Sequence, residues 1–348
     1  MTRRAYLDWN ATAPLRPEAR RAMIEAMDPV GNPSAVHAEG RAARALVERA
    51  RGQVAAALGA EGADIVFTSG ATEAAALALE GRGLQAAEIE HDAVLAWTEP
   101  TLEADGAGRV HVPEPARATL QLANSETGVI QDLPPGLAVS DLTQGFGRIP
   151  FAFNWLGCAM GFVSAHKLGG PKGVGALVLQ PGTELAARIR GGGQEMGRRS
   201  GTENVIGIAG FGAAAEAAAR DLDGGVWEGV ARIRNILEEA LAARAQEIIF
   251  VGKGAPRLPN TTCLAAPGWK GETQVMAMDL AGFAVSAGAA CSSGRTRTGR
   301  VPLAMGLDPD AAASVLRVSI GPATTEQEVL RFAEAWAKQL HKVRARAA

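Results

Sequence analysis

The chain has 348 residues, of which 47% are apolar and 21% charged, an ordinary globular balance with enough length for a sizeable core. Its formal net charge of −2 gives no electrostatic reason to expect nucleic acid or a membrane surface as a partner. No apolar run approaches the roughly 18 residues of a membrane span, and the three scattered cysteines, Cys158, Cys263 and Cys291, form neither a disulfide framework nor a CxxC zinc spacing.

In chain order, the opening MTRRAYLDWNATAP carries no apolar or amphipathic leader. With the sparse cysteines it leads to the expectation of a reduced, cytoplasmic compartment. EARRAMIEAM and HAEGRAARALVERARGQVAAAL have the apolar spacing of amphipathic helices. ADIVFTSGATEAAALAL reads as strand, tight turn and helix, IEHDAVLAW and RVHVPE as short strand-like stretches, and ATLQLANSETG as a strand with a polar end. GCAMGFVSAHK and GVGALVLQ predict two more apolar strands. VIGIAGFGAAAEAAARDL, WEGVARIRNILEEALAARAQEI and EQEVLRFAEAWAKQLHKVRARA predict long helices. The alternation predicts an α/β fold, a mostly parallel sheet with helices on both faces. The Pro/Gly-rich IIFVGKGAPRLPNTTCLAAPG breaks the helical register near residues 247–260, where a domain boundary is expected before a smaller α+β unit.

In such a sheet ligands gather at the carboxyl ends of the strands. Several strands here end in polar or reactive residues: Thr68-Ser69-Gly70, Asn124, Asp141 and Ser164-Ala165-His166-Lys167. The Ser-Gly-Ala-Thr turn opens a helix, either an ordinary capped one or an anion site suited to phosphate. No Walker loop is present, because GxxxxGK[ST] is absent. Asp141 either caps the next helix or offers a buried carboxylate to a protonated ring nitrogen, a need of pyridoxal phosphate enzymes. Gln144, three residues on, stands within reach of a ring hydroxyl.

Lysine is rare in this chain, six against 29 arginines. Lys167 closes an apolar strand, where burying an ammonium costs several kcal/mol unless it is paired or neutralised. A Schiff base removes that charge and gives the side chain a task. Lys172, between Pro171 and Gly173, reads as a solvated loop residue. Taken alone, His91 reads as a core or edge histidine and His37 as a helix cap. Cys291 follows the apolar FAVSAGAA and precedes SSGRTRTGR, a polar run that cannot bury itself and reads as a mobile loop. Arg295, Arg297 and Arg300 would favour its thiolate, the nucleophilic form. Cys158 and Cys263 read as core residues.

Together these segments carry a resemblance. YLDWNATAP, GNPSAVH, IVFTSGATEA, IEHDAVL, NSETGVIQD, DLTQGFGRIP, SAHKLGGPKGVGAL, GGGQEMGRRSGTEN, SAGAACSSG and VLRVSIGPATT stand in the order and wording of the NifS/IscS-like cysteine desulfurases. These are fold-type I pyridoxal phosphate enzymes of the class V aminotransferase family. The resemblance runs from residue 6 to about 330. It implies a large cofactor-binding domain over residues 15–250 and a small domain, residues 1–14 and 251–348, that carries the cysteine loop.

The resemblance also implies roles. Lys167 would hold pyridoxal 5′-phosphate covalently and move the substrate's α-proton, Asp141 would pair with the pyridine nitrogen and Gln144 with the phenolic oxygen. His91 would stack on the ring and assist proton transfer. Ala71, Thr72, Ser164 and His166 would hold the phosphate with Thr202 of the partner subunit, which implies a homodimer. Asn124 and Arg317 would bind the substrate carboxylate, with Asn10 nearby. The implied reaction turns L-cysteine into L-alanine and leaves a persulfide on Cys291, for a sulfur-acceptor or scaffold protein in iron–sulfur cluster assembly or a related pathway. The alternatives are a lyase for selenocysteine or another β-substituted amino acid, and a catalytically degenerate pyridoxal phosphate-binding partner protein.

One departure from the family matters. Between His91 and Asp141 the chain is shortened, and QDLPPGLAVSD replaces what is normally a helix. A parallel strand pair needs a crossover of about a dozen residues or more. The expectation is therefore a strand reached by a bare loop or a rearranged sheet, with an apolar face left for a second protein or the dimer to cover over residues 92–140. Ala159 stands where the family often carries an acidic residue.

Overall fold

The computed structural model describes residues 4–245, 247–288 and 299–347. After the short β1 (Ala5–Tyr6), α1 (Pro17–Glu25) starts on a proline, whose fixed φ suits a first helical turn. His37 caps α2 (Ala38–Leu58) by accepting from the Gly40 N–H, as its position before the apolar spacing predicts. Then come β2 (Asp64–Thr68), α3 (Ala71–Leu79), β3 (Gln85–Ala87), α4 (Asp92–Leu95) and β4 (Glu99–Leu102). IEHDAVLAW thus holds a short helix rather than a strand. His91 caps it through its ring nitrogen, a local bond that competes with extended pairing.

β5 (Val139–Asp141), β6 (Met160–Ser164) and β7 (Gly175–Leu179) complete the large sheet. The order β2-β7-β6-β5 is extended by residues 118–122, which bridge to Val139 on one side and Gln85 on the other. β3 and β4 lie beyond. The pairings of β5 with β6, of β3 with β4 and of both bridges are parallel, and β7 runs antiparallel to each neighbour. The sheet is therefore mixed, parallel from β5 outwards and antiparallel around β7, rather than mostly parallel. α5 (Val205–Asp223) packs on α2 at a contact so close that a Cβ on Gly212 would lie 2.7 Å from the Ala50 Cα.

α6 (Val226–Arg244), β8 (Ile249–Phe250), β9 (Thr261–Ala265), α7 (Gly271–Leu280), β10 (Phe283–Ala284) and β11 (Ser286–Ala287) follow. α8 (Arg300–Ala304), α9 (Pro309–Ala313), β12 (Val315–Ser319) and α10 (Glu326–Ala347) end the described chain. A second antiparallel sheet, β11-β12-β9-β8, carries its own core with α6, α7 and α10, built on Trp227, Trp269, Phe332 and Trp336. Ala5 and Leu7 belong to that core, so the N-terminal strand crosses from it towards the large sheet.

The shortened segment corrects an expectation. Residues 123–138 carry the chain to β5 without a helix, through a turn at 124–128 and a bridge from Val129 to Arg257. Sheet order is kept, and among the described residues the leucines of the segment are not left bare, although Trp97 and Trp155 are exposed. Leu120, Leu122, Leu137 and Leu142 are buried in the main core, packed with Leu102, Val112, Val251 and Met305 of the same chain. The physical reason for a covering partner therefore falls away. RVHVPE forms no strand and contributes a single bridge, Ala104 to Val110.

Candidate active site

The strand ends build the site. β5 ends at Asp141 and β6 at Ser164, and the chain then turns through His166 and Lys167. Opposite them α3 begins at Ala71. Gly175 lets β7 press against that turn, since a Cβ there would lie 2.7 Å from the Gly70 Cα. The result is a cleft of about 610 Å³. Of the residues singled out in the sequence, Asn10, Ala71, Thr72, His91, Asp141, Gln144, Ser164, His166, Lys167 and Arg317 all line it.

The Lys167 ammonium donates to the Asn10 and Ala11 carbonyls at 2.8 and 2.9 Å. The His91 Nδ1 accepts from the Ala93 N–H at 3.1 Å, which leaves Nε2 to carry the proton in the neutral ring. Burial raises the Asp141 pKa, opposed by hydrogen bonds from Thr143 and by the charges of His91 and Lys167. Burial, with Lys167, Lys172 and Arg148 nearby, lowers His166 to about 4, so its imidazole is neutral at pH 7.

At the start of α3 the Ser69 N–H donates to Glu73 and the Gly70 N–H to Thr68, while Gly70 brings no capping side chain to the first helical N–H groups, at Ala71 and Thr72, which line the cleft. A phosphate-sized anion fits there. Across the cleft Arg317 donates to the Asp8 carboxylate at 2.8 Å and the Ser125 carbonyl at 3.1 Å. Its Nε–H is buried with no partner among the described residues, an unspent donor for an anionic oxygen. The residues present therefore fit a ligand with a phosphate, a basic ring nitrogen and a carbonyl for Lys167.

Three expectations change. Asn124 does not line the cleft. Its amide oxygen accepts from Glu126 N, Thr127 N and Thr127 Oγ1, and its NH2 donates to the Ile89 carbonyl, so the group is committed to the 124–128 turn. Arg300 is bound to the Glu90 carbonyl and the Asp92 carboxylate, so among the described residues its charge is already paired. Lys172 is exposed as expected, yet it also lines the cleft. Thr202 is exposed on an adjoining cavity that shares Ser69 and Gly173 with the cleft.

Cys291, Arg295 and Arg297 lie outside the described residues. The flanks of that segment are described. On one side Ser286 pairs with Arg317 in the sheet, and on the other Arg300 grips the residues around His91. Cys158 and Cys263 are buried as expected, and burial pushes the Cys158 thiol up to about 12 and Cys263 up as well.

Sequence reading missed Arg148, Glu90 and Asp8. Glu90 is fully buried, and burial together with Asp141 raises its pKa well above the carboxylate range. The signal for Arg148 was a lone arginine inside the apolar run GFGRIPFAF.

The Aminotransferase class-V family model matches residues 5–99 and 113–332, with the gap inside the shortened segment. A cysteine desulfurase of Cereibacter sphaeroides is 38% identical over 369 residues, covering 95% of this chain and 94% of its own length. One from Frankia sp. is 38% identical over 388 residues, covering 97% and 92%. Among solved structures, a NifS-like protein from Rickettsia africae superposes with a TM-score of 0.89 at 30% identity, covering 97% of this chain and 99% of that one. The chain therefore belongs to the class-V aminotransferase family, in the branch of the NifS/IscS-like cysteine desulfurases.

Proposed function

We propose that this protein is a pyridoxal phosphate-dependent L-cysteine desulfurase that forms a persulfide on Cys291. One observation carries the reading: Lys167, the half-buried Asp141 and the start of α3 meet in a single cleft, with Arg317 on its far wall. The cysteine desulfurases at 38% identity, matched over nearly their whole length, support it.

Asp141 would pair with the ring nitrogen, Gln144 with the phenolic oxygen, and His91 would lie against the ring. Ala71, Thr72, Ser164 and His166 would hold the phosphate, with Thr202 of the partner subunit in a homodimer. The exposure of Thr202 beside the cleft suits that arrangement. Bound there, the cofactor supplies an electron sink that lets bonds at the substrate's carbons break. The neutral His166 can accept or donate one hydrogen bond without repelling the neighbouring lysines. Arg317 would orient the substrate carboxylate, with Asn10 nearby, its own amide held by Ser125, Thr261, Arg148 and Asn260. Lys167 moves the α-proton, held between two carbonyls until the ligand arrives.

The sulfur step balances simply. The carbon–sulfur bond of cysteine breaks, its sulfur bonds to the Cys291 sulfur, and the carbon takes a proton. Cysteine and an enzyme thiol become alanine and an enzyme persulfide, which a sulfur-acceptor protein in the cytoplasm then discharges. The flanks of the Cys291 segment meet the cleft at Arg317 and beside His91, which supports the reading.

The test is to reduce the cofactor-loaded protein with borohydride, digest it and locate the label. Pyridoxyl on the Lys167 peptide, with alanine released from L-cysteine by the unreduced protein, is the expected result. Label elsewhere, or no alanine, contradicts the reading.

A further inference from the structure

Behind the cleft wall lies an arginine that none of the roles above employs. Arg148 is 2% exposed. Every hydrogen bond it makes among the described residues goes to a neutral oxygen. One Nη donates to the Asn10 Oδ1 at 2.8 Å and to the Gln144 Oε1. The other donates to the Lys167 carbonyl at 2.8 Å and the Trp9 carbonyl at 3.4 Å. No carboxylate pairs with it among the described residues, although a buried charge is costly unless paired. Burial, with Arg317 nearby, lowers its pKa to about 9, so it remains a cation at neutral pH.

The consequence for Gln144 is directional. An amide has one oxygen and one NH2, and an amide whose oxygen is held by a guanidinium cannot flip. The Gln144 NH2 gives one hydrogen to the Asn10 carbonyl at 3.1 Å, and Gln144 lines the cleft. Gln144 therefore meets a ligand as a donor. The same guanidinium holds the backbone of Lys167 and the side chain of Asn10, so three cleft groups share one anchor.

We propose that Arg148 is a positioning residue of this site: it locks Gln144 as a hydrogen-bond donor and leaves an unneutralised positive charge behind it, so the cleft favours an oxyanion beside Gln144. This rests on the reading of the cleft as a pyridoxal phosphate site, where that oxyanion is the phenolic oxygen. An arginine serving only packing would contribute stability and leave the ligand's electronics unmoved.

The experiment is a pH titration of the visible absorption of protein loaded with pyridoxal phosphate. Removing a positive charge and a hydrogen bond beside the oxyanion makes the protonated form of the chromophore easier to keep. The titration midpoint of Arg148→Met is expected to rise by about one pH unit, the size of a near charge or a charge-assisted hydrogen bond. Gln144→Leu is expected to move in the same direction. The double variant is expected to match Arg148→Met alone, because the glutamine acts through the arginine. Arg148→Lys keeps the charge without the fork and should fall between.

His91, Asp141, His166, Lys167, Lys172 and Arg317 also face the cleft and are unchanged in every variant. An Arg148→Met midpoint equal to wild type, in coloured protein, overturns the proposal, as does a double-variant shift equal to the sum of the singles. If Arg148→Met does not fold, Arg148→Lys and Gln144→Leu decide, and unmoved midpoints in both overturn it. A wild type that takes up no colour defeats the cofactor reading itself, a separate outcome.

Discussion

Two arginines are buried beside the cleft, and they are held in opposite ways. Arg317, on the small sheet, lies against the Asp8 carboxylate at 2.8 Å. Arg148, in the turn after β5, meets only carbonyl and amide oxygens among the described residues. The first is a neutralised pair with a spare donor, suited to choosing a ligand carboxylate by geometry. The second is a bare cation, suited to setting the potential around a group already bound. Under the proposed function, one cleft would separate recognition of a passing substrate from tuning of a resident group, with the two tasks on different sheets.

The sharpest way to break this division is at the point both sheets share. Lys167 reaches the Asn10 and Ala11 carbonyls, in the turn that follows the N-terminal strand, from a turn on the large sheet. Lys167→Ala should lower alanine formation by about a thousandfold, the scale of a lost proton-transfer group, as measured by steady-state kinetics. Next in size, Arg317→Gln should raise KM for L-cysteine about 10- to 100-fold, as expected for a hydrogen bond to a charged group. The visible absorption should stay unmoved. A change in absorption without a change in KM would merge the two roles.

Asp8→Asn sharpens the contrast further, because it turns Arg317 into a second bare cation. It should cost about 1–3 kcal/mol of stability, from a partly buried pair that loses one partner. Thermal denaturation checks this. The smallest effect concerns His166. Its folded pKa, near 4, lies below the value of about 6.5 in an unfolded chain. The unfolded state therefore binds more protons between those values. Stability from this group is present above pH 6.5 and is lost as pH falls towards 4. His166→Gln should flatten that part of a stability-against-pH curve.

Much of the cleft was legible because its residues sit at strand ends, a placement visible in the sequence at Asp141, Ser164 and Lys167. What stayed hidden depends on distant pairing. Asp8 and Arg317 meet across the whole chain, and Arg148 meets Trp9 and Asn10 in the turn after the N-terminal strand. Asn124 shows the limit of a resemblance, which gives a residue type and not the direction of its amide. His91 was placed on a strand because a short apolar run does not distinguish strand from helix, whereas its ring caps α4. The shortened segment suggested a bare face because Val251 and Met305, which help to cover it, lie more than a hundred residues further on.

The central claim is that sulfur leaves cysteine in this cleft and arrives on Cys291. Intact-mass spectrometry of the cofactor-loaded protein after brief exposure to L-cysteine tests it most directly, with Cys291→Ala as control. One added sulfur atom on the wild type, absent from the variant, is the predicted result. Coloured wild-type protein that releases alanine yet gains no sulfur, or a variant that gains it equally, would contradict the account.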